Sequence, residues 1–222
     1  MKTTLENKKA FDFKLLQKDP LCEARTGIIQ TAHGPIETPV FMPVGTRGTV
    51  KSLTPCDLEA AGAEIILSNT YHLYIRPGSD IIKRFGGLHQ FMGWQHPILT
   101  DSGGYQVFSL TRIREISEEG VRFRSHFDGK EIFLTPEKVV EIQEDLASDI
   151  AMIFDECPPA FYDEKQMRDS MELTLRWSKR AKKHHKLETQ ALFGIAQGGS
   201  NPALREECAK AIIALGFDGY AI

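Results

Sequence analysis

Several things are missing from this sequence of 222 residues, and each absence narrows the field. No apolar run approaches the ~20 residues that a membrane-spanning helix needs. Cysteine is scarce. Cys22, Cys56, Cys157 and Cys208 lie far apart with no C-x-x-C pair, so neither a disulfide framework nor a zinc knuckle is signalled. The N-terminus has no secretory hydrophobic region, and reduced thiols in a cytoplasm are the simplest reading. Dinucleotide and P-loop fingerprints are absent too. Ser102-Gly103-Gly104 carries two glycines, but Tyr105-Gln106 breaks the G-x-G-x-x-G spacing, and no G-x-x-x-x-G-K-[ST] occurs. Charge of one sign is lacking: 27 Lys+Arg against 30 Asp+Glu leave a formal net charge of −3. That argues against a general nucleic-acid coat while leaving room for a local basic face. The 18 glycines follow no period, which excludes a collagen. With 41% apolar and 26% charged residues, the chain is not of disordered composition.

What is present is an alternation of short apolar strands with helices. A β-hairpin is expected over 22–36, followed by strands at 39–45, 64–69, 97–101, 150–155, 191–197 and 218–222. Thr54-Pro55 and Thr135-Pro136 read as helix starts, a side-chain cap followed by proline in the first turn. Longer helices are expected over 163–187 and 201–215. Residues 107–134 alternate charge with β-formers around two glycine turns and read as an inserted antiparallel hairpin, half solvated. The whole is the pattern of a parallel α/β protein. Between an open doubly wound sheet and a (β/α)8 TIM barrel, the barrel suits better. Asn69, Asp101, Asp155 and Gln197 all end strands directly before small or rigid residues, and a barrel gathers such ends at one mouth. The expected organisation is an N-terminal β extension over 1–37 and a barrel over 38–222.

The chemistry-bearing residues stand at those strand ends. Asp101 closes an apolar strand before two glycines. It is either an Asx turn or a working carboxylate, since an uncompensated charge is costly there. Asp155 sits alike, and two carboxylates at one mouth suit acid/base work at a glycosidic bond. Gln197, before Gly198, offers an amide that both donates and accepts, as the edge of a heterocycle requires. Tyr105 is either a stacking platform or a core residue, and Cys157 a packing thiol or part of the site. Arg176, Lys179, Arg180, Lys182, Lys183 and Lys186 form one basic helix, a solvated face or a footprint for phosphates.

Four strings go further. Thr100-Asp101-Ser102-Gly103-Gly104-Tyr105-Gln106-Val107-Phe108-Ser109-Leu110 closely resembles the signature of tRNA-guanine transglycosylases, also called queuine tRNA-ribosyltransferases. Phe154-Asp155-Glu156-Cys157-Pro158, Gly194-Ile195-Ala196-Gln197-Gly198-Gly199 and Gly216-Phe217-Asp218-Gly219-Tyr220-Ala221-Ile222 resemble it as well, in the same order. Asp-Glu-Cys-Pro and Tyr105 resemble the bacterial branch. The resemblance implies a (β/α)8 barrel and exchange of guanine at the anticodon wobble position of tRNA for the 7-deazaguanine preQ1, through a covalent enzyme–RNA intermediate. It implies that Asp101 is the general acid/base, that Asp155 and Gln197 grip the base's edge, and that Tyr105 stacks on it. Ser102, Gly103, Gly104, Cys157 and Gly198 would complete the base pocket. It implies a homodimer as well, with Lys51 and the 91–94 region resembling parts of the contact.

Two departures stand against the pattern. The family's nucleophilic aspartate follows a glycine pair expected beyond Ile222. Its structural zinc, held by three Cys and one His, also has no counterpart, so no metal ligand is expected here. The strand ends near 45, 69, 101, 155 and 197 lie about 38 residues apart, and eight such units need about 310 residues. The expectation is a barrel cut after about five and a half units that does not exchange bases alone. A non-catalytic RNA-binding or partner subunit acting through the 176–186 helix, and an unrelated barrel glycoside hydrolase using Asp101 and Asp155, are the competing readings.

Overall fold

A computed structural model describes residues 11–110 and 114–222. Three antiparallel strands open it: β1 (Asp12–Lys18), β2 (Arg25–Thr31) and β3 (Gly34–Thr38), in the order β1-β2-β3. Then come α1 (Pro55–Ala60), β4 (Ile66–Asn69), three short helices α2 (Thr70–Ile75), α3 (Ser79–Arg84) and α4 (Leu88–Met92), and β5 (Ile98–Asp101). Helix α5 (Gly104–Leu110) leads to a second antiparallel sheet of β6 (Arg114–Ile116), β7 (Val121–Arg124) and β8 (Glu131–Leu134). The chain closes with α6 (Pro136–Leu146), β9 (Ile150–Met152), α7 (Glu164–His184), β10 (Ala191–Ile195), α8 (Pro202–Ala214) and β11 (Gly219–Ala221).

The helix starts follow their caps. Thr54 accepts from the Asp57 backbone while Asp57 reaches back, and Asp163 and Gln166 close a second capping box. Thr135 and Asn201 cap α6 and α8, each with proline in the first turn.

Strands β4, β5, β9, β10 and β11 form one parallel sheet in chain order, and Val44 extends it by a single bridge to Leu67. A doubly wound sheet would reverse its order at a switch point; here each strand simply adds to the one before. Helices bury one face of that sheet. Phe154 stacks on Trp177 with ring centroids 5.2 Å apart, and Trp94 is fully enclosed, its Nε1 donating to the Pro97 carbonyl at 3.2 Å. On the other side Ile36 of β3 packs with Ile65, Leu99 and Ile150.

The structure departs from the sequence reading at identifiable places. The N-terminal hairpin is a three-stranded sheet, because Asp12–Lys18 pairs with β2 although its side chains are all exposed and show no alternation. The stretch 39–45 contributes one bridge rather than a strand, since Pro39 and Pro43 lack the N–H a ladder needs. The 70–92 region folds as three helices of five or six residues, too short to show a helical period. Residues 107–110, expected as the start of the inserted hairpin, continue α5, and the insertion proper is the three-stranded sheet β6–β8. Residues 111–113, also placed in that hairpin, lie outside the described residues.

The basic helix resolves in the same way. Arg176 pairs with Glu118 at 2.9 Å, Arg180 reaches both oxygens of Glu137 at 2.8 Å, and His184 meets Glu141 at 3.2 Å. Trp177 Nε1 donates to the Glu118 carbonyl at 2.9 Å. Much of the charge on α7 therefore staples the turn between β6 and β7, and α6, to the helix instead of facing solvent unpaired. Exposed pairs of this kind contribute about 0–1 kcal/mol each, and their main effect is to fix position.

Candidate active site

Strand β5 runs in register with β4, so Asn69 and Asp101 end side by side. The Asn69 amide donates to Asp101 Oδ2 at 2.5 Å, while the backbone N–H groups of Thr70 and Gly103 donate to Oδ1 at 3.3 and 3.1 Å. That last bond requires a sharp reversal, which Gly103 makes with φ +81°. A Cβ there would lie 2.9 Å from Tyr71 Cβ, so the position excludes a side chain twice over. The next residue carries a different constraint: a Cβ on Gly104 would stand 2.5 Å from Asp155 Oδ1. Glycine here lets the start of α5 approach the second carboxylate.

Asp155 is 7% exposed, and each of its oxygens accepts a hydrogen bond. Ser102 Oγ donates to its Oδ1 at 3.1 Å and Gln197 Nε2 to its Oδ2 at 2.6 Å. Three strand ends, those of β5, β9 and β10, thus place Ser102, Asp155 and Gln197 in one hydrogen-bonded row. Burial pushes the Asp155 carboxyl above the usual carboxylate range, against the opposing pull of those two donors. Asp101 is raised to about 7, first by burial and further by the neighbouring Asp155 charge, while the Thr70, Gly103 and Asn69 donors hold it down. A carboxyl titrating near neutrality is suited to giving and taking a proton.

Both acids line one cavity of about 370 Å³, within the range of small-molecule sites. Ser102, Gly103, Gly104, Tyr105, Cys157 and Gln197 line it as well, which brings together eight of the nine residues singled out from the sequence. Tyr105 is 65% exposed, so it is no core residue and its ring is free to cover a planar ligand. Cys157 keeps its proton: burial, then the Asp155 and Glu156 charges, push its thiol upward, the wrong direction for a nucleophile. Gly198 differs from the rest. It is buried against α8, where a Cβ would meet the Arg205 backbone nitrogen at 2.7 Å, and serves the turn rather than the cavity wall. The sequence reading missed Met152 and Ile195, apolar strand residues whose side chains also line the cavity, and Thr70, whose backbone holds Asp101. Nothing in their residue types marks them; only strand register turns them inward.

The four cysteines do not fit a zinc of the Cys3His type. Cys22 and Cys56 are exposed at separate places, Cys157 lies at the cavity, and Cys208 is on the buried face of α8. Among the described residues the one metal-capable group is His33, His89 and Asp149. Its carboxylate already accepts from His33 Nδ1 at 2.8 Å, His89 Nε2 at 3.1 Å and the backbone N–H groups of His33 and Ile98 at 3.1 and 2.9 Å. That set reads as a hydrogen-bonded staple, satisfied without an ion. Among the described residues no helix is long and apolar enough to cross a membrane.

A parallel sheet whose strand ends hold a buried acid–amide row beside a second, near-neutral acid defines an α/β protein with a built pocket for a polar-edged ligand. The family model for queuine tRNA-ribosyltransferase matches residues 19–222, and the chain belongs to that family. Curated relatives agree. A queuine tRNA-ribosyltransferase of Thermoanaerobacter sp. (strain X514) is 58% identical over 214 residues, covering 96% of this chain and 57% of the relative. Those of Halothermothrix orenii and Staphylococcus haemolyticus are 57% and 58% identical, over 96% and 90% of this chain and 57% and 53% of theirs. The chain thus spans a little over half the length of the curated relatives it matches.

Proposed function

We propose that the cavity binds a guanine-like base, and that the chain supplies the base-recognition and acid/base part of a tRNA-guanine transglycosylase that exchanges guanine in the tRNA anticodon for preQ1. The observation that carries this is the Ser102–Asp155–Gln197 row beside Asp101 in one cavity. A purine edge presents adjacent donors and acceptors, and a buried carboxyl and amide held side by side match that edge. A base lacking them would bury the remaining hydrogen-bonding capacity of this row without a partner, which is penalised in a dry pocket.

In this reading the target base leaves the anticodon stack and enters the cavity. Asp101 gives a proton to the departing guanine and takes one from the incoming 7-deazaguanine. Tyr105 covers the ring. A carboxylate nucleophile at the ribose C1′ is also needed. Neither cavity acid fits that part, since Asp155 is buried and committed to the Ser102 and Gln197 donors, and Asp101 is the proton carrier. Exchange therefore needs a further carboxylate beyond those lining the cavity. The five parallel strands, with the Val44 bridge at their edge, are read as an arc of a (β/α)8 barrel, with 1–37 as its β extension. The site of work is the cytoplasm.

A homodimer is proposed with Lys51 and Phe91 at its contact: Lys51 is exposed, and Gly48 of its loop packs against Phe91 and Met92. Trp94, fully buried, belongs to the core rather than to such a contact.

Isothermal titration of the chain with guanine and preQ1 tests the reading. Asp155→Ala is expected to cut base affinity by ten- to a hundredfold while the circular dichroism spectrum is unchanged. Affinity within twofold of the parent's would return Asp155 to a purely structural part.

A further inference from the structure

Three basic side chains from three separate segments stand beside the Asp101 wall, and the base pocket does not account for them. His126, at the turn between β7 and β8, hydrogen-bonds the Tyr71 hydroxyl through Nδ1 at 2.9 Å and stacks on the Tyr71 ring at 5.6 Å. The His72 ring meets His126 edge-on at 5.8 Å. Arg47, exposed in the loop after Val44, stands at the strand end that leads into His72, because Val44 bridges Leu67 of β4 and the Gly45 N–H donates to the Leu67 carbonyl at 2.6 Å, and its charge reaches His72. At the same turn Arg76 lies over the Phe127 ring at 4.8 Å, a further cation on this surface. Among the described residues no carboxylate comes within 4.0 Å of Arg47, His72, His126 or Arg76, whereas Arg168, Arg176 and Arg180 of α7 each have one. Guanidinium and imidazole N–H groups gathered without a carboxylate partner are donors open to an anion.

The group backs onto the cavity. The His72 backbone donates to Asn69 Oδ1 at 3.4 Å, Asn69 donates to Asp101, and Tyr71 packs against Gly103.

We infer that Arg47, His72 and His126 form a phosphate subsite that takes a backbone phosphate of the RNA strand next to the base entering the cavity. This rests on the proposed tRNA reading and deepens it. A guanidinium offers paired donors matched to two phosphate oxygens, and the imidazoles add N–H donors. His72 is held toward its neutral form by burial, then by Arg47 and His126. A bound phosphate opposes that push, so His72 gains a proton as the anion binds.

The test has two arms. In the first, a fluorescent anticodon stem-loop RNA is titrated with the chain and with Arg47→Gln across a range of potassium chloride. The variant is expected to bind about five- to tenfold more weakly at low salt, with the slope of log Kd against log salt reduced by about 0.7, the value for one phosphate contact on a single strand. In the second, inorganic phosphate is added while the His72 and His126 ring signals are followed by NMR. The expected result is a rise in the His72 pKa that Arg47→Gln removes. An RNA that binds with unchanged slope and affinity in the variant overturns the subsite and leaves the tRNA reading standing. A His72 response to phosphate without any RNA binding overturns the RNA reading and with it the strand-phosphate assignment. No response in either arm overturns both.

Discussion

The two ends of the parallel sheet each bury aspartate, and they treat it in opposite ways. At the end where β9 begins, Asp149 accepts from two backbone N–H groups and two imidazoles, and the His33 and His89 rings stack with centroids 3.5 Å apart. Burial would raise that carboxyl, but the His89, Ile98 and His33 donors together outweigh it and hold it below the usual carboxylate range. At the end where β5 and β9 finish, Asp101 and Asp155 also have donors, yet both are raised. The difference lies in what surrounds the donors. Burial raises both acids, and Asp101 is raised further by the Asp155 charge, while their side-chain partners Asn69, Ser102 and Gln197 do not offset that burial. One end uses its acid to hold the fold together, and the other holds its acids ready for a ligand and a proton.

That contrast is most exposed to failure at Asp149. Asp149→Ala strands two histidines and two backbone donors, and is expected to lower stability by about 3–5 kcal/mol in urea unfolding. A loss below 1 kcal/mol would mean that this end is no staple.

Asp101 is expected to show the reverse linkage. Its folded pKa, about 7, lies above the ordinary 3.8, so between these values the folded state binds the extra proton. Its contribution is fully favourable below about pH 4 and is lost as pH rises toward 7, roughly 4 kcal/mol at most. Asp101→Asn should remove that fall from a plot of unfolding free energy against pH, whatever it does to absolute stability. An unchanged plot would place the raised pKa elsewhere. Asp149, held low, contributes stability that disappears only as pH falls below the ordinary carboxylate range.

The smallest effect is assigned to His33→Ala. His33 is 39% exposed at its side chain, and Asp149 keeps three other donors, so about 1 kcal/mol is expected in the same urea assay. A loss as large as that of Asp149→Ala would make the stacked imidazole pair, rather than the carboxylate, the centre of the staple.

Local chemistry made much of this legible beforehand. Thr54 and Thr135 announce helices because a short polar side chain satisfies a free backbone N–H wherever it precedes a helix. The strand ends Asp101, Asp155 and Gln197 stand out because a polar residue closing an apolar run must be used or paired. Helices α2 to α4 escaped, being too short for a period, and so did β1, whose exposed side chains do not alternate. Asp149, His33 and His89 escaped for another reason. They come from a turn, a short helix and a strand start, and none is unusual where it stands. On α7 the cations were legible and their partners were not, because Glu118 lies 58 residues from Arg176.

By itself, then, the sequence determined the alternation of strands and helices, their caps, the family, and which polar residues sit at strand ends. These follow from short-range rules that act within one turn or one strand. Tertiary structure alone decided that Asp101 and Asp155 share a cavity while Asp149 does not, and hence which acids are raised and which is held low. Charge, burial and hydrogen bonding between groups more than fifty residues apart depend on strand register and sheet order, which no local pattern encodes.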